Sequence, residues 1–202
     1  MEYQIKKIAS KEEIESCALF CMDHFMWDNV VQPKAYGRMG YIEGLGFYCA
    51  LTCEEENPRR VFENYMDMVC NDSAMEVFLA FPEEGEALSN DSMYINFEVN
   101  SNGALYAKCG KGRKGRLKMP ESYLETVDCR AVIEEKLWKV SFTIPEAFLK
   151  KECGVKDLKR IWCNFYKIAE SPEVLHFASY SPIENETPNF HLPIFFAKGE
   201  IV

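Results

Sequence analysis

Long apolar runs are missing from this sequence. No stretch approaches the ~18 consecutive apolar residues that a membrane-spanning helix needs. The opening residues Met1 to Lys7 are not followed by the apolar core of a secretory signal either. We therefore expect a protein without a membrane partner that stays in the cytoplasm.

Positive charge is scarce relative to negative charge. The 202 residues include 23 lysines and arginines against 32 aspartates and glutamates, which gives a net charge of −9. A surface this acidic repels the phosphates of nucleic acids and of anionic lipids. Nucleic acid is therefore not an expected partner.

Motifs of common enzyme classes are missing as well. There is no Gly-x-Ser-x-Gly motif, no zincin helix and no dinucleotide-binding fingerprint. The segment from Gly110 to Arg116 is glycine-rich and basic, but it lacks the phosphate-loop pattern. Three interpretations of it remain: an exposed loop between strands, a loop whose Arg113 or Arg116 reaches an acidic sugar, or a source of an ion pair with Glu98.

Repeats, low-complexity tracts and Pro/Gly-rich linkers are absent too. This pattern predicts a single domain over residues 1–202. The nine cysteines are odd in number and have no regular spacing, which indicates reduced thiols in a cytoplasm.

What the sequence has in abundance is alternation of apolar and polar residues. In Trp138 to Ile144 every second residue is large and apolar, which predicts a strand with one wet face that ends at Pro145. Four further segments alternate in the same way: Phe47 to Cys53, Met75 to Phe81, Met93 to Asn100 and Ile161 to Lys167. Asn102-Gly103 is a turn signal behind one of them.

Helix is rare by comparison. Ser10 and Glu13 have the spacing of a capping box, which predicts a helix that continues through Leu19 and Cys21. Residues Pro145 to Leu149 could add a turn or two. Short strands with few helices predict an all-β fold: an antiparallel two-sheet β-sandwich of immunoglobulin or jelly-roll type, with a short N-terminal helix.

Four stretches in order resemble the family 9 carbohydrate-binding modules. Asn71 to Phe78 contains Asp-Ser-x-x-Glu-x-Phe, and Tyr94 to Asn100 contains Phe-x-x-Asn with Gly103 behind it. Trp138 to Pro145 has the pattern Trp-x-Val-x-x-x-Ile-Pro. The most specific stretch is the closing Pro-x-Phe-His-x-Pro-x-Phe-Phe of residues 188–196. The resemblance extends from about Trp27 to the C-terminus.

The resemblance implies a β-sandwich without catalysis that clamps a sugar between two aromatic rings. This chain departs from the pattern at the site itself. Val69, Cys70 and Asn71 stand where the better-known members have a tryptophan, Phe190 stands near their second tryptophan, and Glu98 stands near an arginine. The strand glutamate is kept as Glu76. These substitutions bear on which sugar is bound and how tightly, and they leave the fold expected from the resemblance unchanged.

Candidate binding residues come from the polar faces of the predicted strands. Glu76 and Glu98 would lie on neighbouring strands. Three roles are open for them: they accept hydrogen bonds from sugar hydroxyls, they form a glycosidase acid/base pair about 5–9 Å apart, or they face solvent. The aromatic and amide side chains offer a sugar platform, or else a half-covered sheet face. These residues are Tyr94, Asn96, Trp162, Asn164 and Tyr166.

Phe190 and His191 lie between two prolines in a rigid loop that would present a ring to a ligand. The alternative is that Phe190 plugs the end of the sandwich while His191 satisfies backbone carbonyls. With Arg113 and Arg116 they complete the predicted ligand-binding residues.

No cofactor is required by this reading. Cys17, Cys21 and His24 could put three zinc ligands on one helix face, but the two cysteines fit an amphipathic helix better because a second half-site is missing. The acidic stretches 54–56 and 83–86 do not match an EF-hand loop, although a structural calcium ion remains compatible with the family. A haem-binding sandwich has no identifiable axial ligands here.

The expected function is therefore non-catalytic binding of a mono- or oligosaccharide, with a small-molecule carbohydrate as partner. Two alternatives stay open. The first is a small glycan-active enzyme that uses Glu76 and Glu98. The second is a sandwich that has lost its ligand and serves as a protein-interaction unit.

Overall fold

The alternating segments fold as strands in a computed structural model that describes residues 1–202. The fourteen strands are β1 (Glu2–Lys7), β2 (Leu19–Cys21), β3 (His24–Phe25), β4 (Lys34–Ile42), β5 (Gly46–Glu54), β6 (Ala74–Ala80), β7 (Met93–Asn100), β8 (Leu105–Lys111), β9 (Leu117–Lys118), β10 (Arg130–Ile133), β11 (Trp138–Pro145), β12 (Ile161–Ala169), β13 (His176–Ser179) and β14 (Ala197–Ile201).

Helical structure is confined to short pieces. The α-helices are α1 (Leu124–Val127) and α2 (Glu146–Lys151), and α2 is the turn or two predicted after the Trp138 strand. The 3₁₀ turns are Lys11–Ser16, Val69–Asn71, Glu121–Tyr123, Pro172–Val174 and Pro193–Phe195. None of these helices is both long and apolar enough to cross a membrane.

The strands pair along one strongly curled path that forms two layers. The first layer runs β9-β8-β7-β6-β12-β14, with β13 beside β12 and β3 beside β13. The second layer runs β4-β5-β11-β10, with β2 beside β4. Strand β1 joins them, since Glu2 to Ile5 pair with β14 and Lys6 and Lys7 pair with β4.

The predicted all-antiparallel pairing is wrong at this joint. Strand β1 runs parallel to both β14 and β4, so the sheet is mixed. Parallel neighbours need long connections, and β1 and β14 meet this condition because they lie at opposite ends of the chain. The mostly-β, layered architecture itself is as predicted.

The predicted N-terminal α-helix is also wrong. Lys11–Ser16 forms a 3₁₀ turn, and the side chain of Ser10 makes no capping hydrogen bond. The chain is extended again at Leu19–Cys21, where β2 pairs with β4. Neither half of the capping box forms, because the Glu13 carboxylate accepts its 3.3 Å bond from the backbone N–H of Ala9, one residue before Ser10.

The main core lies between the layers and contains 33 buried residues. Aromatic rings tie the layers together: Phe97 stacks on Phe142 with centroids 6.0 Å apart, and Phe20 stacks on Phe165 at 3.6 Å. Each large apolar side chain buried in this way contributes about 1.5–3 kcal/mol.

A second apolar cluster covers the outer face of the first layer. It joins Phe78, Tyr94 and Tyr166 of the sheet to Phe190 and Phe196 of the C-terminal segment. This cover buries β6 and β7 on both faces, so the polar residues of these strands face a protein-lined space. The candidate site lies here.

Candidate functional site

A cavity of about 260 Å³ opens on the outer face of the first layer. Its floor comes from β6, β7 and β8, and residues 188–191 of the C-terminal segment cover one side. The lining residues are Met68, Cys70, Glu76, Asn96, Glu98, Tyr106, Lys108, Arg113, Arg116, Ile168, Glu170, Phe177, Pro188, Asn189, Phe190 and His191.

The antiparallel register places the polar floor in rows across the strands. Glu76 of β6 lies directly opposite Glu98 of β7, and Glu98 lies opposite Tyr106 of β8. In the next row Asn96 lies opposite Lys108. Because side chains of directly opposed residues are about 4.5–5.5 Å apart at Cβ, the two glutamates form a close pair.

Burial makes this carboxyl pair unusual. It raises the pKa of Glu98 to about 7, against the hydrogen bond from Asn96. Burial also raises the pKa of Glu76 well above its ordinary value, and the neighbouring charges of Glu98 and Glu170 add to the effect. At neutral pH the pair therefore holds a proton, which makes it both a donor and an acceptor of hydrogen bonds.

A relay of hydrogen bonds fixes one member of the pair. Arg116 donates to Oδ1 of Asn96 at 2.7 Å, and Nδ2 of Asn96 donates to Oε1 of Glu98 at 2.7 Å. The guanidinium of Arg116 also lies 3.6 Å from the centroid of the Tyr94 ring. Arg116 thus holds the amide and the carboxylate in one orientation, whereas no protein group donates to Glu76.

His191 contributes a neutral ring. Burial, together with the positive charges of Arg116, Arg113 and Lys108, lowers its pKa to about 3. Its Nδ1 lies 3.0 Å from the hydroxyl of Tyr94. The histidine therefore takes part in hydrogen bonding at neutral pH without adding charge.

Phe190 supplies the aromatic wall of the cavity. Its ring stacks on Tyr166 with a centroid distance of 4.1 Å and an interplanar angle of 9°, and Phe177 packs edge-on against it at 6.1 Å. The hydroxyl of Tyr166 also donates to the carbonyl of Phe190 at 3.3 Å. The ring is thus held rigidly from behind.

Seven of the eleven predicted binding residues line this cavity: Glu76, Asn96, Glu98, Arg113, Arg116, Phe190 and His191. The other four predicted residues, Tyr94, Trp162, Asn164 and Tyr166, do not. Tyr94 and Tyr166 support His191, Arg116 and Phe190 from behind. Asn164 is fully buried, where it binds the backbone of Ser181, and Trp162 packs on the second apolar cluster.

Several lining residues were missed by the sequence reasoning. Tyr106 and Lys108 alternate with buried Leu105, Ala107 and Cys109 on β8. This period-2 pattern in the sequence indicates a strand with Tyr106 and Lys108 on its polar face. Met68 and Glu170 belong to loops and Cys70 belongs to the 3₁₀ turn Val69–Asn71, and their approach to the cavity depends on tertiary folding. Met68 and Cys70 occupy the region where the resemblance predicts a lost tryptophan.

The suggested zinc ligands do not share a helix face. Cys17 is buried behind the 3₁₀ turn, Cys21 belongs to β2 and His24 belongs to β3. No group of three or more His, Cys, Asp and Glu side chains is arranged to hold a metal ion. The expectation of a structural calcium ion stays a prediction.

We expect Glu98→Gln to change how stability depends on pH. The raised pKa of Glu98 means that the folded state binds more protons than the unfolded state between about pH 4.5 and pH 7. The wild-type protein should therefore lose stability as the pH rises through this window, by roughly 3 kcal/mol at most. Urea unfolding at several pH values should show a flatter profile for Glu98→Gln.

Glu200→Gln is the matched control, because Glu200 is an exposed strand glutamate. It should reproduce the wild-type profile. Parallel profiles for wild type and Glu98→Gln would contradict a raised pKa at Glu98.

The fold and the cavity together define a class of protein: a β-sandwich with a polar floor and an aromatic wall on one sheet, as in sugar-binding modules. Residues 4–201 match the family described as Carbohydrate-binding family 9. The chain belongs to this family, which confirms the resemblance found in the sequence. Non-catalytic carbohydrate binding is the function that this membership supports.

Solved structures agree with the assignment. A "putative carbohydrate-binding protein" from Bacteroides uniformis is 25% identical over 100% of this chain and 99% of its own, with a TM-score of 0.82. A family 9 module from Caldicellulosiruptor kristjanssonii in complex with cellotriose is 10% identical over 100% of this chain and 93% of its own. The structure of that family's module from the same organism in complex with glucose is likewise 10% identical, over 100% of this chain and 96% of its own. The cellotriose and glucose complexes each have a TM-score of 0.63. None of the curated proteins compared with the chain matches it.

Proposed function

We propose that this chain binds one end or one unit of a glycan in the cavity between Glu76 and Phe190. The observation that carries the proposal is the pairing of a rigid aromatic ring with a buried polar floor. The C–H face of a pyranose packs on such a ring, while carboxyl and amide groups take its hydroxyls. The cavity volume of about 260 Å³ suits a small ligand.

Each wall has a distinct part in this proposal. Phe190 provides the flat apolar surface, and Glu76, Asn96 and Glu98 hold the hydroxyls. The glucose and cellotriose bound by the Caldicellulosiruptor module make neutral hexoses natural first ligands to try. A reducing cytoplasm is the proposed location, since all nine cysteines are free thiols in the fold.

The test is calorimetric titration and thermal shift with a panel of mono- and oligosaccharides. A ligand at a hundredfold excess over its dissociation constant adds about 2.7 kcal/mol of stability. We expect Phe190→Leu, which keeps apolar volume but loses the flat ring, to weaken binding about tenfold, because aromatic contacts of this kind are worth about 0.5–1.5 kcal/mol.

Phe196→Leu is the matched control. Phe196 lies in the same C-terminal segment with nearly the same exposure, 6% against 5% for Phe190, but it does not line the cavity. It should cost similar stability and leave sugar affinity unchanged. Equal affinity for wild type and Phe190→Leu would remove the ring from the site, and no binding across the panel would favour an interaction unit instead.

A glycan-cleaving enzyme is the second candidate, favoured by one observation. Glu76 and Glu98 form a closely spaced buried pair, and a raised pKa in one member suits an acid catalyst beside an ionised nucleophile. Release of nitrophenol from aryl glycosides by the wild type, abolished in Glu76→Gln and in Glu98→Gln, would establish this activity. Sugar binding without turnover would exclude it.

A further inference from the structure

The charged residues of the cavity form no ion pairs with one another. Glu76, Glu98 and Glu170 line the cavity together with Lys108, Arg113 and Arg116. None of the three carboxyl groups takes part in any of the salt bridges of the structure. No protein cation therefore forms an ion pair with these three carboxyl groups.

Glu76 is the clearest sign of a missing partner. It is 2% exposed, lines the cavity and accepts no hydrogen bond from the protein. Glu98, directly opposite, is 6% exposed and accepts only from Asn96. Buried carboxyl groups are normally paired or fully hydrogen-bonded, and like charges directly opposite each other destabilise a sheet.

The nearby cations do not fill this role. Arg116 is occupied by the carbonyls of Tyr94, Lys108, Gly110 and Gly112 and by the amide oxygen of Asn96. The nitrogen of Lys108 lies 4.9 Å from the centre of the Tyr106 ring. Arg113 is exposed, with one 3.5 Å contact to Asn189.

We propose, building on the sugar-binding function above, that the bound glycan unit carries a protonated amine that lies between Glu76 and Glu98. An ammonium group offers three N–H donors and one positive charge. It supplies the charge that the floor lacks and donates to the Glu76 oxygens that no protein group reaches. The preferred class of ligand is thus an amino sugar whose nitrogen is free rather than acetylated.

The opposite choice, an acidic sugar, fits the structure less well. Lys108 and Arg113 belong to the more accessible part of the cavity, where an ion pair is worth about 0–1 kcal/mol. An anion at the floor would meet two buried carboxyl groups instead. Because buried charges discriminate more strongly than screened ones, the floor decides the specificity.

The proposal also predicts movement of a proton. Burial raises the pKa values of both glutamates; the charges of Glu98 and Glu170 add to this at Glu76 and that of Glu170 at Glu98. The positive charge of Lys167 opposes the shift at Glu76, and Arg116 and Lys108 oppose it at Glu98. An ammonium ligand favours both carboxylates, so the proton shared by the pair leaves for solvent on binding. A neutral sugar that uses the protonated carboxyl as donor causes no such release.

The experiment is calorimetric titration with glucosamine and short β-1,4-linked glucosamine oligomers. N-acetylglucosamine, glucose and cellotriose are the comparison ligands. We expect the free amine to bind at least about tenfold more tightly than the acetylated sugar near neutral pH. Titrations in buffers of different ionisation enthalpy should show net proton release for the amine alone.

Glu76→Gln and Glu98→Gln should lose the preference for the amine, so that each variant binds the free amine and the neutral sugar with similar affinity. Glu200→Gln, which is exposed and remote, should keep the preference. Equal or tighter binding of neutral sugars by the wild type would overturn the inference and leave the sugar-binding function standing. Failure of every sugar to bind would overturn both.

Discussion

Replacement of Lys167 by methionine is expected to lower the free energy of unfolding by about 3–5 kcal/mol, because it breaks a buried ion pair from one side. Lys167 is fully buried on the inner side of β12. Its side-chain nitrogen donates to Oγ of Ser73 at 2.6 Å and lies 3.7 Å from the carboxylate of Glu55. Methionine fills a similar volume but leaves Glu55 without a cation.

The carboxylate of Glu55 loses its only cation in this variant. Burial opposes its ionisation, but the charge of Lys167 and the hydrogen bonds of Ser73 and Trp138 prevail and lower its pKa. Glu55 directly follows β5, and Trp138 on the neighbouring strand β11 donates to it from Nε1 at 3.0 Å, whereas Lys167 reaches it from β12 of the first layer. The network therefore ties β5, β11 and β12 together at one end of the sandwich.

His176 completes the network as a neutral acceptor. Burial, together with the charge of Lys167, lowers its pKa to about 3. Lysine can only donate, so Nε2 of His176, 2.7 Å away, accepts from it. The other nitrogen, Nδ1, then carries the proton and donates to the carbonyl of Val174 at 2.6 Å. Loss of Lys167 would leave Nε2 buried and without a donor.

Urea unfolding of three variants tests this prediction. Lys139→Met is the matched control, since Lys139 pairs with Glu134 on an exposed strand face and should cost less than about 1 kcal/mol. Lys167→Met combined with Glu55→Gln should recover much of the loss, because the unpaired charge is gone. A cost for Lys167→Met no larger than that of the control would show that the network contributes little.

The strands that alternate strongly were predictable from sequence alone. Trp138 to Ile144 and Met93 to Asn100 became β11 and β7 with nearly the predicted bounds. Period-2 patterning determines which residues share a face, and this is a local property. The N-terminal segment failed for the opposite reason: its capping pattern is local, but pairing of Leu19–Cys21 with β4 overrides it.

For the site, the sequence predicted only which side chains share the polar face of a strand. Alternation put Glu76 and Glu98 on polar faces, and their family pattern suggested neighbouring strands, as the structure has them. Alternation could not predict the segment that covers this face. Residues 188–196 fold back over the outer face and turn a wet surface into a cavity wall, which depends on packing of Phe190 against Tyr166. Contacts between segments so distant in sequence leave no periodic trace.

The Asp-Ser and Phe-x-x-Asn motifs have a structural explanation beside the cavity. Asp72 is fully buried and accepts from the backbone N–H groups of Val61 and Phe62, from Nδ2 of Asn100 and from Arg59. Oδ1 of Asn100 in turn accepts from the backbone N–H groups of residues 102 and 104. The turn needs this support, since Gly103 has the left-handed φ of +82°.

Asp72→Ala is therefore expected to cost about 3–4 kcal/mol of unfolding free energy. It leaves the backbone N–H groups of Val61 and Phe62 without an acceptor, and each buried polar group left unpaired costs about 1–3 kcal/mol. The amide of Asn100 keeps its bond to the carbonyl of Phe62. Asp67→Ala is a close control, because the Asp67 carboxylate likewise accepts from two backbone N–H groups, those of residues 63 and 64, but near the surface. Water can replace it there, so a cost of about 1 kcal/mol is expected.

Chemical unfolding of both variants measures the difference, and sugar titration adds a second measurement. Asp72 anchors the strands next to Glu76 and Glu98 without lining the cavity, so the loss of stability should exceed any loss of affinity in the folded fraction. Similar unfolding costs for Asp72→Ala and Asp67→Ala would mean that burial of the carboxylate adds nothing. The motif would then owe its place in the sequence to the cavity rather than to the turn it supports.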